Sequence, residues 1–318
     1  MMTSIQRLGF WSVAIALASV AGAAACASRS VQPKVVFLRD TRIVTADESG
    51  ANVRELVADG QRKADPQWSP QGDHIVYRTA AGEAPGRPQQ HAHLVVIRPD
   101  GGAVGTVTVR STEDDGTTVG GMRFVERSGW HGDGKMFAWG SVGPRSSEYR
   151  VLDLSGRVLA AYFGTDFATC APAGTVAHVV GAHDPSRRYI AIDGARVYAP
   201  TDRDVAITSL QWTLSCSRLA VHESSVAGSH VVVLRNGAVE ARLPLVAATP
   251  GAQVVPSGDS FVVRGVAQPL EYDTATRSLK PAPPSSDAEP RTKRAAMVQN
   301  LGGRAAHWWS PPAGAPGR

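Results

Sequence analysis

One unit recurs along the 318-residue chain: an apolar or aromatic opener, a polar turn, then a buried strand of three or four residues. Its clearest copy is Pro66-Gln67-Trp68-Ser69-Pro70-Gln71-Gly72-Asp73-His74-Ile75-Val76-Tyr77. Pro70 presets φ near about −65° and Gly72 supplies the permissive backbone that a reversal needs. The unit therefore reads as a hairpin whose second arm is β-branched and aromatic. Weaker copies open at Trp130, His183, Trp212 and Val254, so the openers lie 62, 53, 29 and 42 residues apart. The mean, about 46, lies in the range of a four-stranded propeller blade.

A second unit, a short apolar strand closed by an Asp/Asn-Gly type turn, follows most copies. It is seen at Leu94–Gly101, Tyr149–Gly156, Val231–Gly237 and Leu270–Asp273. An earlier instance, Arg42–Leu56, follows Val35-Val36-Phe37 with no opener before it, so the chain is expected to enter in mid-blade. The 32 Gly and 21 Pro, about a sixth of the residues, fit many turns rather than long helices.

Trp68-Ser69-Pro70-Gln71-Gly72 with its following strand, and Ala46-Asp47-Glu48-Ser49-Gly50 with Arg54-Glu55-Leu56, resemble the WD-like repeats of TolB-type β-propellers. The resemblance covers residues 34–281, with His183 and Val254 standing where the other openers have Trp. It implies an all-β propeller of six four-stranded blades, five or seven being the alternatives left by the uneven spacings. Blades of that family stack face to face, because a lone blade cannot bury its faces.

Residues 1–25 read as a secretory signal: a short start carrying Arg7, an apolar run from Leu8 to Val20, and small residues up to Cys26. Ala25-Cys26 resembles a bacterial lipobox, which makes Cys26 the candidate lipidation site. Ala23 stands where that motif usually has Leu, so ordinary signal-peptidase cleavage is the alternative. Residues 26–33 read as a linker, 34–281 as the propeller, and 282–318 as a disordered Pro/Arg-rich tail in which Trp308→Ala should leave stability unchanged. The net charge of +5 includes +1 from residues 1–25 and +3 from residues 285–318, leaving a body without the basic stripe that nucleic acid requires.

The remaining cysteines, Cys170 and Cys216, are expected to pair, with two unpaired buried residues as the alternative. Cys216 replaces the Gly of the turn in its repeat copy. Closing this loop would restrict the unfolded chain by about 4 kcal/mol, and an exported compartment would let the bond persist.

Catalytic signals are weak. His91 and His93 alternate, as two metal ligands on one strand face would, but no third ligand lies close in sequence. Glu113-Asp114-Asp115 lacks the spaced pattern of a calcium loop. His183-Asp184 and His222-Glu223 would need a nucleophile, and no Gly-x-Ser-x-Gly elbow is present. Trp68, Trp130 and Trp212 read as packing anchors, and Trp308-Trp309 as either chance aromatics or a short partner-binding motif. No catalytic residue, metal ligand or cofactor is assigned. The expected function is non-enzymatic binding of a protein or cell-envelope component through a ring face, with membrane contact only through an N-terminal lipid anchor. The alternative is a propeller-class hydrolase or lyase with its site in the central channel, assembled from residues that no local motif reveals.

Overall fold

The structure, a computed structural model, describes residues 35–80, 91–110, 125–132, 134–143, 146–170, 173–181, 184, 187–245, 252–282, 296–301 and 304–308. β1 (Val35–Arg39), β2 (Arg42–Ala46) and β3 (Arg54–Val57) pair in order. A four-stranded sheet follows from β4 (Lys63–Trp68), β5 (Ile75–Ala80), β6 (His91–Ile97) and β7 (Ala103–Arg110). β8 (Arg127–Trp130), β9 (Lys135–Gly143), β10 (Ser146–Asp153), β11 (Val158–Cys170), β12 (Thr175–Val180), β13 (Tyr189–Ile192) and β14 (Ala195–Tyr198) form one seven-stranded sheet. Two more four-stranded sheets comprise β15 (Ala206–Trp212), β16 (Arg218–Ser225), β17 (Gly228–Arg235) and β18 (Ala238–Leu245), then β19 (Gln253–Ser257), β20 (Ser260–Arg264), β21 (Leu270–Asp273) and β22 (Ser278–Pro281). Finally β23 (Arg304–Trp308) pairs with β1, giving the order β23-β1-β2-β3.

β11 serves two blades. Its first half pairs with β10, and after a bulge between Thr165 and Ala168 its second half pairs with β12. Counted once on each side, it divides the described strands into six antiparallel four-stranded units, numbered here as blades 1 to 6 from the β23-β1-β2-β3 sheet onward. Their first strands lie against one another, β23 against β4, β4 against β8, β11 against β15 and β15 against β19.

Two expectations change. The first hairpin of blade 4 turns between Cys170 and Thr175, not at His183, which lies outside the described residues. Tyr189–Ile192 is the third strand of that blade rather than the second. The cause is β11, which passes from the outer edge of blade 3 to the first position of blade 4 through Gly164 and a bulge at Asp166 rather than through a chain-reversing turn. With this register Trp130, Cys170 and Trp212 stand 40 and 42 residues apart.

The tail also holds structure. Residues 296–300 are helical, and β23 runs antiparallel to β1 with Val35 opposite Trp308 and Val36 opposite His307. Met297, Val298 and Leu301 pack on Val35, Phe37, Val44 and Ala46. On its other face blade 1 packs through Val36, Leu38 and Ile43 on Trp68, Ile75 and Tyr77 of blade 2. β1, the first described strand, is apolar on both faces, and apolar residues of the tail supply a cover for one face and a strand partner. The backbone of Trp308 thus belongs to a strand paired with β1, and the expected disorder of residues 282–318 does not extend to residues 296–301 and 304–308.

Two contacts recur where blades meet. At the first strands, the Trp130 indole N–H donates to the Gln67 carbonyl (3.2 Å) and the Trp212 indole N–H to the Ala168 carbonyl (3.1 Å), each reaching the preceding blade. The blade 1–2 joint differs. Trp68 Nε1 finds no acceptor among the described residues, and instead the Trp68 backbone N–H donates to His307 Nδ1 (3.2 Å). At the outer strands of blades 2 to 5, the turn before the fourth strand lies on the preceding blade. A Cβ on Gly156 would stand 2.9 Å from Val107 Cγ1, and one on Gly237 would stand 3.2 Å from Val197 Cγ1, both at φ values only glycine adopts freely (88° and 77°).

Aspartates hold the turns before the fourth strands of blades 1, 2, 3 and 6. Asp153 Oδ1 accepts from the Ser155 N–H (2.9 Å), the Ser155 hydroxyl (2.6 Å) and the Arg157 N–H (3.0 Å), and Asp47 does the same with Ser49 and Ala51 in blade 1. The Ser155 hydroxyl leads the interactions that pull the Asp153 carboxyl down to about 2. The carboxyls of Asp47, Asp100 and Asp273 are lowered too, chiefly by the Ser49 hydroxyl, the Gly102 N–H and the Thr276 N–H respectively.

Two predictions follow from these joints. Gly258→Ala should cost about 1–2 kcal/mol, because its left-handed φ (57°) has open space around it. Gly156→Ala should cost about 1–3 kcal/mol beyond that, through the clash with Val107. Urea midpoints compare the two, and equal losses would show that the turn does not bear on its neighbour.

The second prediction concerns acid. Desolvation lowers the pKa of His131, His178 and His222, and takes that of the half-buried His307 from 6.5 down to about 4. The unfolded chain therefore takes up these protons first. The histidine contribution is intact above about pH 6.5 and is lost as pH falls towards 4, at up to about 1.4 kcal/mol per pH unit for each group. The aspartate contribution, whose native pKa values are depressed, is lost only below about pH 4. Thermal melts from pH 8 to 3 should show both windows, with His307→Gln flattening part of the upper one. A curve level between pH 6.5 and 4 would refute the assignment.

Candidate functional site

Blades 4 and 5 share an apolar interface in which Ala177, Val179 and Ile190 meet Leu210, Trp212, Leu219, Val221, Val232 and Leu234. The end of this interface near the second-to-third strand connections is locked by a polar triad. The Tyr198 hydroxyl donates to Glu223 Oε1 (2.6 Å), Arg242 Nη1 donates to Glu223 Oε2 (2.7 Å), and Arg242 Nη2 donates to the Tyr198 oxygen (2.5 Å). Glu223 is 1% exposed, so the charge is buried but paired. Desolvation, followed by the neighbouring Glu223 carboxylate, raises the pKa of Tyr198.

The opposite end is locked covalently. Cys170, at the end of β11, is bonded to Cys216 in the β15–β16 turn, with their Cα atoms 5.7 Å apart. Beside this bond the two blades leave a cleft of about 310 Å³. Ile192, Ala195 and Val197 form its blade 4 wall, Trp212, Cys216, Leu219 and Leu234 the blade 5 wall, and the Asn236-Gly237 turn its rim. No charged side chain lines it, and Asn236 contributes the single side-chain amide. Such a space can take an uncharged apolar group and offer it one hydrogen-bonding partner; it holds no acid, base or nucleophile for a reaction.

The residues singled out in the sequence fall in different places. Cys26 and Glu113-Asp114-Asp115 lie outside the described residues. His93, on β6, has its Nδ1 3.0 Å from the Thr108 hydroxyl, and the side chain of His91 is not described. Asp184 pairs with Arg187 (3.4 Å) on the surface. His222 and Glu223 are adjacent on β16 and so point to opposite faces, Glu223 into the triad with Tyr198 and His222 Nδ1 towards the Thr208 hydroxyl (2.9 Å). No three His, Cys, Asp or Glu side chains gather as a metal site among the described residues. No helix among them is long and apolar enough to cross a membrane. Among first-strand charges, Asp65 is paired with Arg78 (3.1 Å), which also donates to the Val125 and Glu126 carbonyls leading into blade 3.

Sequence reasoning named Trp212 and Cys216 for other reasons and missed Val197, Leu234 and Asn236 as a wall. The available signal was the Asn236-Gly237 turn in the same repeat as Cys216. What it lacked was the register of blade 4, which places Ile192 and Val197 across from it.

No protein-family model and no curated protein matches the sequence. Solved structures do match in shape. A eukaryotic initiation factor aligns with 79% of this chain and 62% of its own at a TM-score of 0.52 and 11% identity. A puromycin-hydrolysing peptidase from Mycobacterium tuberculosis aligns with 80% of this chain and 44% of its own (TM-score 0.48, 16% identity). TolB from Acinetobacter baumannii aligns with 87% of this chain and 67% of its own (TM-score 0.40, 12% identity). The chain spans less than two-thirds of the length of the first two, so the activities of those whole proteins stay with them. The radial series of antiparallel four-stranded sheets, with first strands packed together and faces stacked blade on blade, has the fold of a β-propeller.

Proposed function

We propose that this propeller is an exported, non-enzymatic binding protein that receives a protein or cell-envelope partner on the ring face carrying the cleft between blades 4 and 5. The observation that carries the reading is the cleft itself, an uncharged apolar recess between two blades braced at both ends. A recess of fixed shape, with no titratable group in its lining, suits recognition better than chemistry. The signal-like residues 1–25 and the cystine both fit an oxidising compartment outside the cytoplasm. Lipidation at Cys26 would then tether the ring to a membrane surface.

Photo-crosslinking in the envelope tests this. A photoreactive residue in place of Leu214, 62% exposed in the turn that carries Cys216, should give one discrete adduct. The same residue at Val226, in the hairpin at the far end of blade 5, should give none. Ala195→Trp, which fills the cleft from its exposed rim, should abolish the Leu214 adduct without lowering the melting temperature. The same adduct from both positions, or one that survives Ala195→Trp, would refute the assignment.

A further inference from the structure

The first-to-second strand turn of blade 5 follows the pattern of blade 2. The Cys216 N–H donates to the Thr213 carbonyl (3.0 Å) as the Gly72 N–H donates to the Ser69 carbonyl (2.9 Å). Both residues are left-handed, at φ 61° and 72°. The corresponding turns of blades 4 and 6 also place a glycine there, Gly174 (61°) and Gly258 (57°). Most other described non-glycine residues with positive φ are Asp or Asn, whose short side chains tolerate that region. Cysteine has no such excuse, and its Cβ is strained there. Cys216 is bonded to Cys170 in this glycine-like conformation, and its side chain lines the cleft together with Trp212 and Leu219.

We propose that the cleft is a redox-gated pocket for an uncharged apolar group, competent only while Cys170 and Cys216 are bonded. The inference rests on the reading of the cleft as a binding site. A dithiol reductant opens it: one thiolate attacks Sγ of the partly exposed Cys216, the Cys170–Cys216 bond breaks and a mixed disulfide forms. The second thiol of the reductant then displaces Cys216. The reductant leaves as a cyclic disulfide, and both cysteines end as thiols with two protons gained. Freed of its tether, Cys216 leaves the left-handed region, the Thr213–Arg218 turn loosens, and the wall between Trp212 and Leu219 is lost.

The full-length protein and two double variants test this with N-phenyl-1-naphthylamine, an uncharged apolar fluorophore small enough for the cleft, and with amide hydrogen exchange over residues 212–219. Dithiothreitol should weaken dye binding to the wild type at least tenfold and speed exchange in this stretch at least tenfold. Cys170→Ala/Cys216→Ala should match the reduced protein under all conditions. Cys170→Ala/Cys216→Gly, which restores the residue of the other blades but removes the cystine from the cleft wall, should keep the slow exchange of the oxidised protein with and without the reductant. If that glycine variant instead exchanges as fast as the alanine variant, or if reduction alters neither binding nor exchange, the gating is wrong. Should the dye fail to bind the oxidised protein, or bind equally to Ala195→Trp, the cleft is not the site. The exchange data would then still show whether the bond holds the turn.

Discussion

A four-stranded sheet with apolar residues on both faces has no stable existence alone, and nearly every feature of this chain answers to that constraint. The interfaces are continuous along the blade series. Val76, Leu94 and Val107 of blade 2 meet Trp130, Met136 and Leu152 of blade 3, and Val231, Val233 and Leu243 of blade 5 meet Phe261, Val263 and Tyr272 of blade 6. Between blades 3 and 4 the filling is aromatic. Tyr149 stacks on Phe137 (5.0 Å) and Phe167 (5.6 Å), and Phe167 in turn on His178 (5.4 Å). Apolar contact alone would let such sheets slide over one another. At the joints of blades 2–3 and 4–5 an indole-to-carbonyl bond at the first strands and a glycine turn at the outer strands restrict sliding, one at each radius.

Much of this was legible because the repeat writes its joints in turn chemistry. Ser69-Pro70-Gln71-Gly72, Asp153-Leu154-Ser155-Gly156 and Asn236-Gly237 each specify a backbone path independently of what packs around them. Illegible stretches were those whose structure comes from tertiary pairing. β11 makes no chain reversal where one blade ends and the next begins, only a bulge, and hydrogen bonds to β10 and then β12 decide its allegiance. The tail looked disordered because proline and charge dominate its composition, while the few residues that matter, Val298 and the strand from Arg304, are defined by the uncovered face and edge of β1. A hint was present: Trp309-Ser310-Pro311 repeats Trp68-Ser69-Pro70, the opener that the first blade otherwise lacks.

The candidate site was legible only in pieces. Cys216 stood out as an intruder in a glycine position, which local sequence can reveal. The cleft could not, because its two walls lie on different blades and one of them, from Ile192 to Val197, belongs to the blade whose register was misread. Sites at interfaces between repeats inherit every error in the alignment of those repeats. The Tyr198, Glu223 and Arg242 group shows the same limit, since three residues on three strands of two blades form one polar network that no spacing rule would assemble.

The undivided course of β11 has a further consequence for how the ring comes apart. Blades 1 and 2, and blades 4 and 5, are joined by connections outside both ladders, at residues 58–62 and 199–205. Blades 3 and 4 instead share a backbone ladder, seven strands wide, whose central member is held on one edge at each end. Opening either blade strips partners from the strand that anchors the other, so the pair forms a single cooperative unit of about twice the usual size within a modular ring. Local openings that exchange amide protons or admit a protease are therefore expected to begin elsewhere, and the polypeptide from Arg127 to Tyr198 behaves as the keel to which the other blades are attached.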